Sequence, residues 1–360
     1  MDVAIFGAGV AGLMSAIALQ ARGHRCHIYE RARQSQQMGM GFILVPEGIN
    51  ELRRFGVEVA GVPTLHYYCR NEAGEVLYEE IMPGGARSVR RADLIAGLVN
   101  ALPSRDVITF DAALDGLEFS PAGDVVAARL VPGKQIQADL YVAADGGRSR
   151  ARQTLFPEWP AREAQVMELV GIAACGRAIE WAGHNFNKFH AQGGGLAVGV
   201  VPVSKEQVVW YMQFDSRQFP PPAESADARR DFVTRLAGTW AHPIPLLLSL
   251  TDFSGVHLWR PVDTDVLPHF HQGNLALLGD AAHPLSPFTS QGVSSAIADA
   301  VALAKCVTAP QAVPESGIAE ALAEYSAERR AQCAPFLAQG RVLAHDFLAP
   351  GSSVLLPIAQ

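Results

Sequence analysis

The residues with the clearest chemical potential are a run of glycines near the N-terminus and an acid that follows it. Positions 7–12 read Gly-Ala-Gly-Val-Ala-Gly, a GxGxxG pattern between an apolar segment at 2–6 and a helical pattern at 13–22. Glu30 ends the next apolar segment, eighteen residues after Gly12. Glycines at a helix N-terminus can cradle a pyrophosphate, and an acid at this spacing can accept hydrogen bonds from ribose hydroxyls. The pattern predicts dinucleotide binding and favours FAD or NAD over NADP, without separating FAD from NAD.

Each glycine of this turn has a separate predicted task. Gly7 allows the chain to turn sharply out of the strand, and Gly9 lets a pyrophosphate approach the backbone. Gly12 lets the helix pack closely on the sheet, while Val10 and Ala11 complete the predicted binding turn. The alternative interpretation is a glycine-rich turn without a ligand, and the context of strand, helix and acid argues against it.

Two more carboxylates follow apolar segments further along the chain. Asp145 follows the segment 139–144 and Asp280 follows 275–278, and each stands beside a glycine. Ligands of open α/β sheets bind beyond the carboxyl ends of the strands. Asp145 and Asp280 are therefore predicted to face one ligand from two strands, with a helix N-cap as the alternative role for either.

The stretch after Asp280 adds a second kind of binding chemistry. Pro284 and Pro287 stiffen a loop, and Gln291-Gly292 leads into an alanine-rich helix. A helix N-terminus presents unpaired N–H groups and a partial positive charge. Such an end suits a ligand that becomes negative during its chemistry, and a reduced flavin ring is one example.

Length and composition limit the classes of protein to which this sequence can belong. The 360 residues suggest about two domains, and 49% hydrophobic residues suffice for a substantial core. The net charge of −7 and the lack of a basic run predict no nucleic-acid partner. No window of about 18 apolar residues occurs, so no membrane span is predicted. Five scattered cysteines and an N-terminus unlike a signal peptide predict a cytoplasmic protein with reduced thiols and no metal site.

Periodicity and turn residues predict the elements that position these groups. The expected β structure comprises a hairpin at 65–80, a small antiparallel meander made of 107–110, 115–119, 125–131 and 135–138, and strands at 168–201 and 207–215 that roof the ligand. The expected helices are 88–101, 227–241 and 318–348, the last with a break at Pro335. Residues 39–42 are expected to form a flexible loop.

Three motifs occur in a fixed order along the chain. They are the glycine turn with Glu30, Asp145-Gly146-x-x-Ser149-x-x-Arg152, and Gly-Asp-Ala-Ala-His-Pro at 279–284. In this order the chain resembles the single-component FAD-dependent aromatic hydroxylases, the p-hydroxybenzoate hydroxylase-like group A flavin monooxygenases. The likeness extends from the N-terminus to about residue 304. The chain departs from the family pattern at Ser290, where glycine is usual, and at Ser294, where asparagine is usual.

The resemblance implies an α/β fold with a Rossmann-like FAD-binding domain, an inserted mixed β-sheet substrate domain and C-terminal helices. The implied domains are a discontinuous FAD-binding domain at 1–64, 86–164 and 260–310, a β-rich substrate domain at 65–85 and 165–259, and a C-terminal helical segment at 311–360.

The resemblance also implies individual contacts with FAD. Glu30 would bind the adenosine ribose with Arg31 beside it, and Leu114 would offer its backbone to the adenine. Arg91 would contact the pyrophosphate region, and Asp280 would hold the ribityl chain. The other implied flavin contacts are Gly279, Pro287, Gln291, Gly292 and Val293.

By the same resemblance, NADPH or NADH would reduce the flavin, and the motif of Asp145 would serve both FAD and this donor. Reduced flavin and O2 would form a C4a-hydroperoxide that hydroxylates a small aromatic or polycyclic compound, in a monomer or homodimer. Two other hypotheses stay open: a reductase or dehydrogenase of the same fold acting on a prenyl or polyene substrate, and a flavin-binding protein without turnover.

Candidates for the substrate pocket come from the predicted roofing strands. Each of them has an alternative role as an ordinary packing residue. The candidates are His66, Tyr67, His190, Tyr211 and Gln213. His283, although part of a motif, is expected to be structural rather than a catalytic base.

Overall fold

The computed structural model describes residues 1–34, 41–307 and 317–350 of the chain. The strands are β1 Asp2–Phe6, β2 Arg25–Tyr29, β3 Gly41–Leu44, β4 Val62–Pro63, β5 His66–Asn71, β6 Val76–Ile81, β7 Arg87–Arg90, β8 Ile108–Thr109, β9 Ala113–Phe119, β10 Val125–Val131, β11 Lys134–Ile136, β12 Leu140–Ala143, β13 Arg162–Glu163, β14 Val166–Ala174, β15 Asn185–His190, β16 Leu196–Pro202, β17 Gln207–Asp215, β18 His257–Trp259, β19 Val262–Asp263, β20 His271–Gln272 and β21 Leu275–Leu277. The α-helices are α1 Val10–Gln20, α2 Pro46–Arg54, α3 Arg91–Ala101, α4 Arg150–Leu155, α5 Gly176–Ala182, α6 Ala226–Ala237, α7 Ile244–Ser249, α8 Gly292–Cys306 and α9 Gly317–Leu348.

A six-stranded sheet, called here the main sheet, has the order β20-β21-β12-β1-β2-β8. Strand β1 pairs in parallel with both β12 and β2, and β12 pairs in parallel with β21. The strands are apolar because helices cover them, as α1 does while it packs against α8. The predicted strand-helix-strand unit at the N-terminus is confirmed. The carboxyl ends of β2, β12 and β21 lie at one edge, which is where Glu30, Asp145 and Asp280 follow them.

A seven-stranded mixed sheet, called here the roof sheet, has the order β18-β14-β17-β16-β15-β5-β6. Its pairs are antiparallel except for the parallel pair of β15 and β5. Alternate residues of β17 face opposite sides: Trp210, Met212 and Phe214 join a core with α6 and α7, whereas Tyr211 and Gln213 face away from these helices. The predicted hairpin and the predicted strand at 207–215 are both confirmed.

Three segments differ from the sequence-based expectation near the main sheet. Residues 88–90 belong to β7, which pairs with β3, so the helix begins only at Arg91. The segment 107–110 contributes β8 to the main sheet, parallel to β2, while the meander consists of β9, β10 and β11. Gly41 and Phe42 pair with β7 rather than forming a loop, and Gly39 and Met40 lie outside the described residues. In each case pairing with a distant strand decides a short segment whose local pattern is ambiguous.

Two further expectations fail in longer segments. The stretch 168–201 is not all strand, because α5 lies between β14 and β15. Pro335 does not break α9, which continues as one helix of 32 residues. Both halves of α9 are held by packing, with Leu322 and Tyr325 buried before the proline and Leu337 and Phe347 after it. This packing offsets the one backbone hydrogen bond that a proline removes. None of the described helices is both long and apolar enough to cross a membrane.

Candidate functional site

The glycine turn between β1 and α1 is shaped by close backbone contacts. Gly7 has φ +107°, and a Cβ there would overlap the carbonyl oxygen of Ala144 at the end of β12. A Cβ on Gly12 would overlap the carbonyl oxygen of Gly7. A Cβ on Gly9 would meet nothing within 4 Å, so the space above this residue at the N-terminus of α1 is open. The turn thus combines two tight packing positions with one open position that can receive a phosphate.

Glu30 is fixed beside this turn by the backbone. Its Oε2 accepts a hydrogen bond from the Ala8 N–H at 2.7 Å, and its Oε1 accepts one from the Ala32 N–H at 2.8 Å. A cavity of about 280 Å³, called here the N-terminal cavity, opens at this point. Its lining includes the predicted contacts Gly7, Gly9, Glu30, Arg31, Arg91, Leu114 and Asp145.

A second cavity of about 260 Å³, called here the central cavity, lies between the edge of the main sheet and the roof sheet. On the main-sheet side its lining includes Gly9, Val10, Ala11, Arg91, Gly279, Asp280, Pro287, Gly292 and Val293. On the roof side it includes Glu168, Val170, Phe186, Val201, Tyr211, Gln213 and Trp259. The two cavities share Gly9, Arg91, Ala144 and Gly146, so together they can hold one elongated ligand.

Some predicted site residues do not line either cavity. Gln291 precedes α8 without contributing to the lining, and Gly12 is buried under the glycine turn. His66 lies on the hairpin with its Nδ1 2.9 Å from Glu79 Oε1, outside the lining of both cavities.

Two other pocket candidates, Tyr67 and His190, also lie outside the lining of both cavities. Tyr67 is buried against Phe186 at a ring distance of 5.0 Å, and His190 is buried 6.3 Å from the ring of Phe347. Burial and the nearby Lys188 lower the pKa of His190 to about 3. These strands are in the roof sheet as expected, but the sheet is wider than the cavity.

Asp145 holds the start of a helix and also lines the N-terminal cavity. Its Oδ2 accepts hydrogen bonds from the N–H groups of Arg150 at 2.7 Å and Ala151 at 3.3 Å, at the start of α4. Its Oδ1 is buried and has no hydrogen-bond partner among the described residues. Asp145 therefore stabilises a helix terminus and keeps one buried oxygen without a described hydrogen-bond partner.

Arg152 joins the two carboxylate-bearing turns and was not among the predicted site residues. Its guanidinium is buried and donates to the carbonyl oxygens of Asp280 at 2.9 Å, Ala281 at 3.1 Å and Gly147. Desolvation lowers the pKa of Arg152, and the carboxylates of Asp145 and Asp280 oppose that shift. The signal was present in the sequence, because Arg152 is the last residue of the second motif.

The carboxylate of Asp280 projects into the central cavity. Its surface is open to the cavity, yet the surrounding protein desolvates it and raises the pKa of Asp280 above its ordinary value. The positive charges of His283, Arg91 and Arg152 oppose this shift. A hydroxyl-rich ligand chain in the cavity would supply the hydrogen bonds that water supplies to an exposed carboxylate.

A buried ion-pair network lies behind the turn that carries Asp280. Asp299 on α8 accepts hydrogen bonds from the Gly279 N–H at 2.7 Å, from His283 Nε2 at 2.7 Å and from Arg329 Nε at 2.6 Å. Burial alone would lower the pKa of His283, but Asp299 and Cys333 raise it well above its ordinary value. Burial likewise opposes ionisation of Asp299, while His283 and Arg329 bring its pKa below the ordinary value. His283 is thus structural, as expected.

Three members of this network have the composition of a metal site. Ligand atoms of His283, Asp299 and Cys333 all lie within 4.8 Å of one another. The guanidinium of Arg329 already supplies a positive charge at Asp299, so the arrangement favours an ion pair within the protein. Asp299 and Arg329 were missed at the sequence level, although an acid within an apolar helix is a signal for a buried partner.

The roof of the central cavity also contains polar groups that the sequence analysis did not single out. Glu168 on β14 is buried, and its Oε1 accepts a hydrogen bond of 2.6 Å from Gln213 Nε2. Burial raises the pKa of Glu168 to about 7 and lowers the pKa of Lys188, on β15, to about 8. Lys188 Nζ lies 4.8 Å from the centre of the Phe288 ring. The roof therefore combines apolar residues with the buried polar pair Glu168 and Gln213, and Tyr211 and Gln213 are the two predicted pocket candidates that line it.

A family model and two relatives match this chain over most of its length. The model of a family described as FAD binding domain matches residues 1–338. The aurachin C monooxygenase/isomerase of Stigmatella aurantiaca is 28% identical over 348 residues, which cover 94% of this chain and 87% of that protein. The 3-amino-4-hydroxybenzoate 2-monooxygenase of Streptomyces cremeus is also 28% identical, over 97% of this chain and 88% of that protein.

Solved structures share the fold. The crystal structure of Klebsiella pneumoniae HpxO complexed with FAD and uric acid matches with a TM-score of 0.84 and 24% identity, over 97% of this chain and 89% of that chain. The 2,6-dihydroxypyridine-3-hydroxylase from Arthrobacter nicotinovorans matches with a TM-score of 0.82 and 20% identity, over 99% of this chain and 94% of that chain. The expected α/β fold class is confirmed.

Proposed function

This chain belongs to the FAD-binding-domain family of flavoprotein monooxygenases, and from that premise we propose that it hydroxylates a small aromatic compound with NADPH or NADH and O2. It is an FAD-dependent monooxygenase of the aromatic hydroxylase group. One observation carries the proposed reaction: two adjoining cavities extend from Glu30, past the N-terminus of α8, to a polar roof.

The proposed position of FAD follows the two cavities. The adenosine part occupies the N-terminal cavity near Glu30 and Leu114. The pyrophosphate lies over Gly9 and beside Arg91, and both residues line the two cavities. Gly9 directly precedes α1, and Arg91 is the first residue of α3, so each lies at a helix N-terminus. The open space at Gly9 supports this placement, because a pyrophosphate needs close approach to the backbone there.

The remaining part of FAD belongs in the central cavity. Asp280 accepts hydrogen bonds from the ribityl hydroxyls, and the flavin ring lies against Pro287, Gly292 and Val293. The N-terminus of α8 begins at Gly292, so its partial positive charge favours the reduced, anionic ring. Asp145 lines the N-terminal cavity next to the shared residues Ala144 and Gly146, and serves FAD and the nicotinamide donor.

The chemistry divides between cofactor and protein. Bound FAD supplies the redox and oxygen chemistry, with the flavin C4a-hydroperoxide as the proposed oxygen donor. The roof sheet covers the cavity, excludes bulk water and positions the aromatic ring of the substrate. The same proposal divides the chain into an FAD-binding domain at 1–64, 86–164 and 260–310 and a substrate domain at 65–85 and 165–259. The separate main and roof sheets support this division.

The test begins with the absorbance spectrum of the purified holoenzyme. NADPH or NADH is added without oxygen in the presence of a candidate aromatic, and isotopically labelled O2 is then admitted. We expect the flavin to bleach, to pass through a species absorbing between the reduced and oxidised forms, and to return with one labelled oxygen atom in the product.

Two outcomes would contradict the proposal. Substrate turnover in the absence of O2 would instead identify a reductase or dehydrogenase of the same fold. Bound flavin that neither nicotinamide donor reduces, with aromatics present, would exclude the proposed electron source.

A further inference from the structure

The roof sheet places its polar residues in one row across neighbouring strands. Glu168 on β14 is paired in register with Gln213 on β17 and, on its other side, with Trp259 on β18. All three residues line the central cavity. Because paired residues of adjacent strands point to the same face, this row is a continuous surface opposite Asp280 and α8.

Two residues of the row, Glu168 and Gln213, carry side-chain oxygens that accept hydrogen bonds. Gln213 donates one of its two Nε2 hydrogens to Glu168, and its carbonyl Oε1 accepts no hydrogen bond from Glu168. That Oε1 is buried and has no hydrogen-bond partner among the described residues. Burial raises the pKa of Glu168 to about 7, and above this pH its carboxylate accepts hydrogen bonds and donates none. A ligand that satisfies these two acceptors must therefore bring donors.

Positive charge is absent from the described part of the roof lining. Among the described residues around the central cavity, Arg91 is the cation, and it belongs to the main-sheet side. Lys188 is on the same face of the roof sheet but is not part of the described lining, and its Nζ lies near the rings of Phe288 and Phe347. A carboxylate placed against the row would be buried beside Glu168, and the charge of Lys188 already compensates Glu168.

We propose that Glu168 and Gln213 are the substrate-recognition pair of the central cavity and select aromatic rings that present uncharged O–H or N–H donors over rings that present a carboxylate there. This inference rests on the proposed function, since it assigns the substrate class of the same site. The pair acts through the hydrogen bonds that it accepts and through the electrostatic repulsion of an anionic substituent.

The test compares three probes with the same ring and one changed substituent: resorcinol, meta-aminophenol and meta-hydroxybenzoate. Each is titrated into the oxidised holoenzyme, and the dissociation constant is measured by calorimetry and by the perturbation of flavin absorbance. We expect the first two to bind about ten-fold more tightly than the carboxylate, a difference of about 1.4 kcal/mol.

Two variants of the pair separate recognition from folding. Glu168→Gln keeps the acceptor for Gln213 and removes the charge, so the preference should fall towards equality. Gln213→Arg adds a cation to the row and should reverse the preference in favour of meta-hydroxybenzoate, a gain of binding that misfolding cannot produce. Glu206→Gln, on an exposed turn before β17, is the matched control and should keep the preference of the original protein.

Equal or tighter binding of the carboxylate by the unaltered protein would overturn the inference, as would failure of all three probes to bind at millimolar concentration. A preference that survives both Glu168→Gln and Gln213→Arg would also overturn it. These readouts need no turnover, so they are distinct from failure of the proposed function. A protein that shows the expected preference but incorporates no oxygen would retain this binding site and lose the proposed hydroxylation.

Discussion

Ser290 adopts a backbone conformation that is normally favourable only for glycine. Its φ is +52°, in the left-handed region that costs a side-chain-bearing residue about 1–2 kcal/mol. The family that the chain resembles usually has glycine here, and glycine adopts this conformation without that steric cost. The left-handed turn that precedes α8 therefore explains why glycine is usual at this position.

Replacing Ser290 by glycine is expected to stabilise the protein. The relief of the left-handed conformation exceeds the entropy that glycine adds to the unfolded chain, for a net gain of about 0.5–1 kcal/mol. Chemical denaturation of both proteins measures the change. Ser286→Gly is the control, because Ser286 has φ −59° and has no such strain to lose. A stability that falls by the same amount in both variants would contradict this account.

His283 is expected to give stability a defined dependence on pH. Asp299 and Cys333 overcome the effect of burial and raise its folded-state pKa well above the ordinary value of 6.5. The stabilisation is therefore fully present below the unfolded-state pKa and is lost as pH rises through the folded-state pKa.

The substitution His283→Gln should thus cost less stability at about pH 9 than at about pH 6. Urea unfolding of both proteins across this range measures the difference. His345→Gln, on an exposed part of α9, is the control and should cost nothing at either pH. A penalty for His283→Gln that stays constant or grows with pH would rule out the raised pKa.

At the scale of elements, α8 and α9 together hold the turn that carries Asp280. Asp299 on α8 receives the Gly279 N–H from the turn and the guanidinium of Arg329 from α9. Arg329 also donates to the backbone oxygen of Ser295 on α8. The C-terminal helix is therefore part of the support for the central cavity.

Removing Arg329 should lower the free energy of unfolding far more than removing an exposed arginine whose ion pair has the same distance. Arg329→Met leaves Asp299 with less compensation in the interior and is expected to cost about 3–5 kcal/mol. The matched control is Arg25→Met, since Arg25 Nε also lies 2.6 Å from a carboxylate, that of Asp2, but at the surface. Exposed pairs contribute about 0–1 kcal/mol. Urea unfolding measures both, and equal losses would contradict the buried role.

At the scale of the whole molecule, FAD should connect both ends of the site and stabilise the fold. Ligand at one hundred times its dissociation constant adds about 2.7 kcal/mol to the free energy of unfolding. Glu30→Ala and Asp280→Ala act at opposite ends of the two cavities, and each should raise the dissociation constant of FAD. Flavin fluorescence titration and the melting temperature with and without FAD measure these effects.

The exposed Asp106→Ala is the control for both carboxylate variants and should bind FAD like the original protein. Full FAD retention by Asp280→Ala would remove the ribityl role. An unchanged dissociation constant in Glu30→Ala would remove the ribose role.

Local sequence patterns were enough to predict the nucleotide-binding region of this protein. Positions 7–12 and Glu30 are close in the chain, so glycine spacing and the apolar segments around it fix their local geometry. The order of the three motifs likewise predicted the α/β fold. The positions of Asp145 and Asp280 at one edge of the main sheet were predictable because each follows a buried parallel strand.

The roof of the cavity and the network behind it depend on contacts between residues that are far apart in the chain. Glu168 and Gln213 are separated by 45 positions and meet through strand register, while Asp299 and Arg329 meet through helix packing. His66, Tyr67 and His190 were on roof strands but outside the cavity, because period-two alternation gives the face of a strand and not its distance from a ligand. Long-range strand pairing and helix packing determine which side chains of one face come together around a ligand. A single sequence does not specify the distance between a side chain and that ligand.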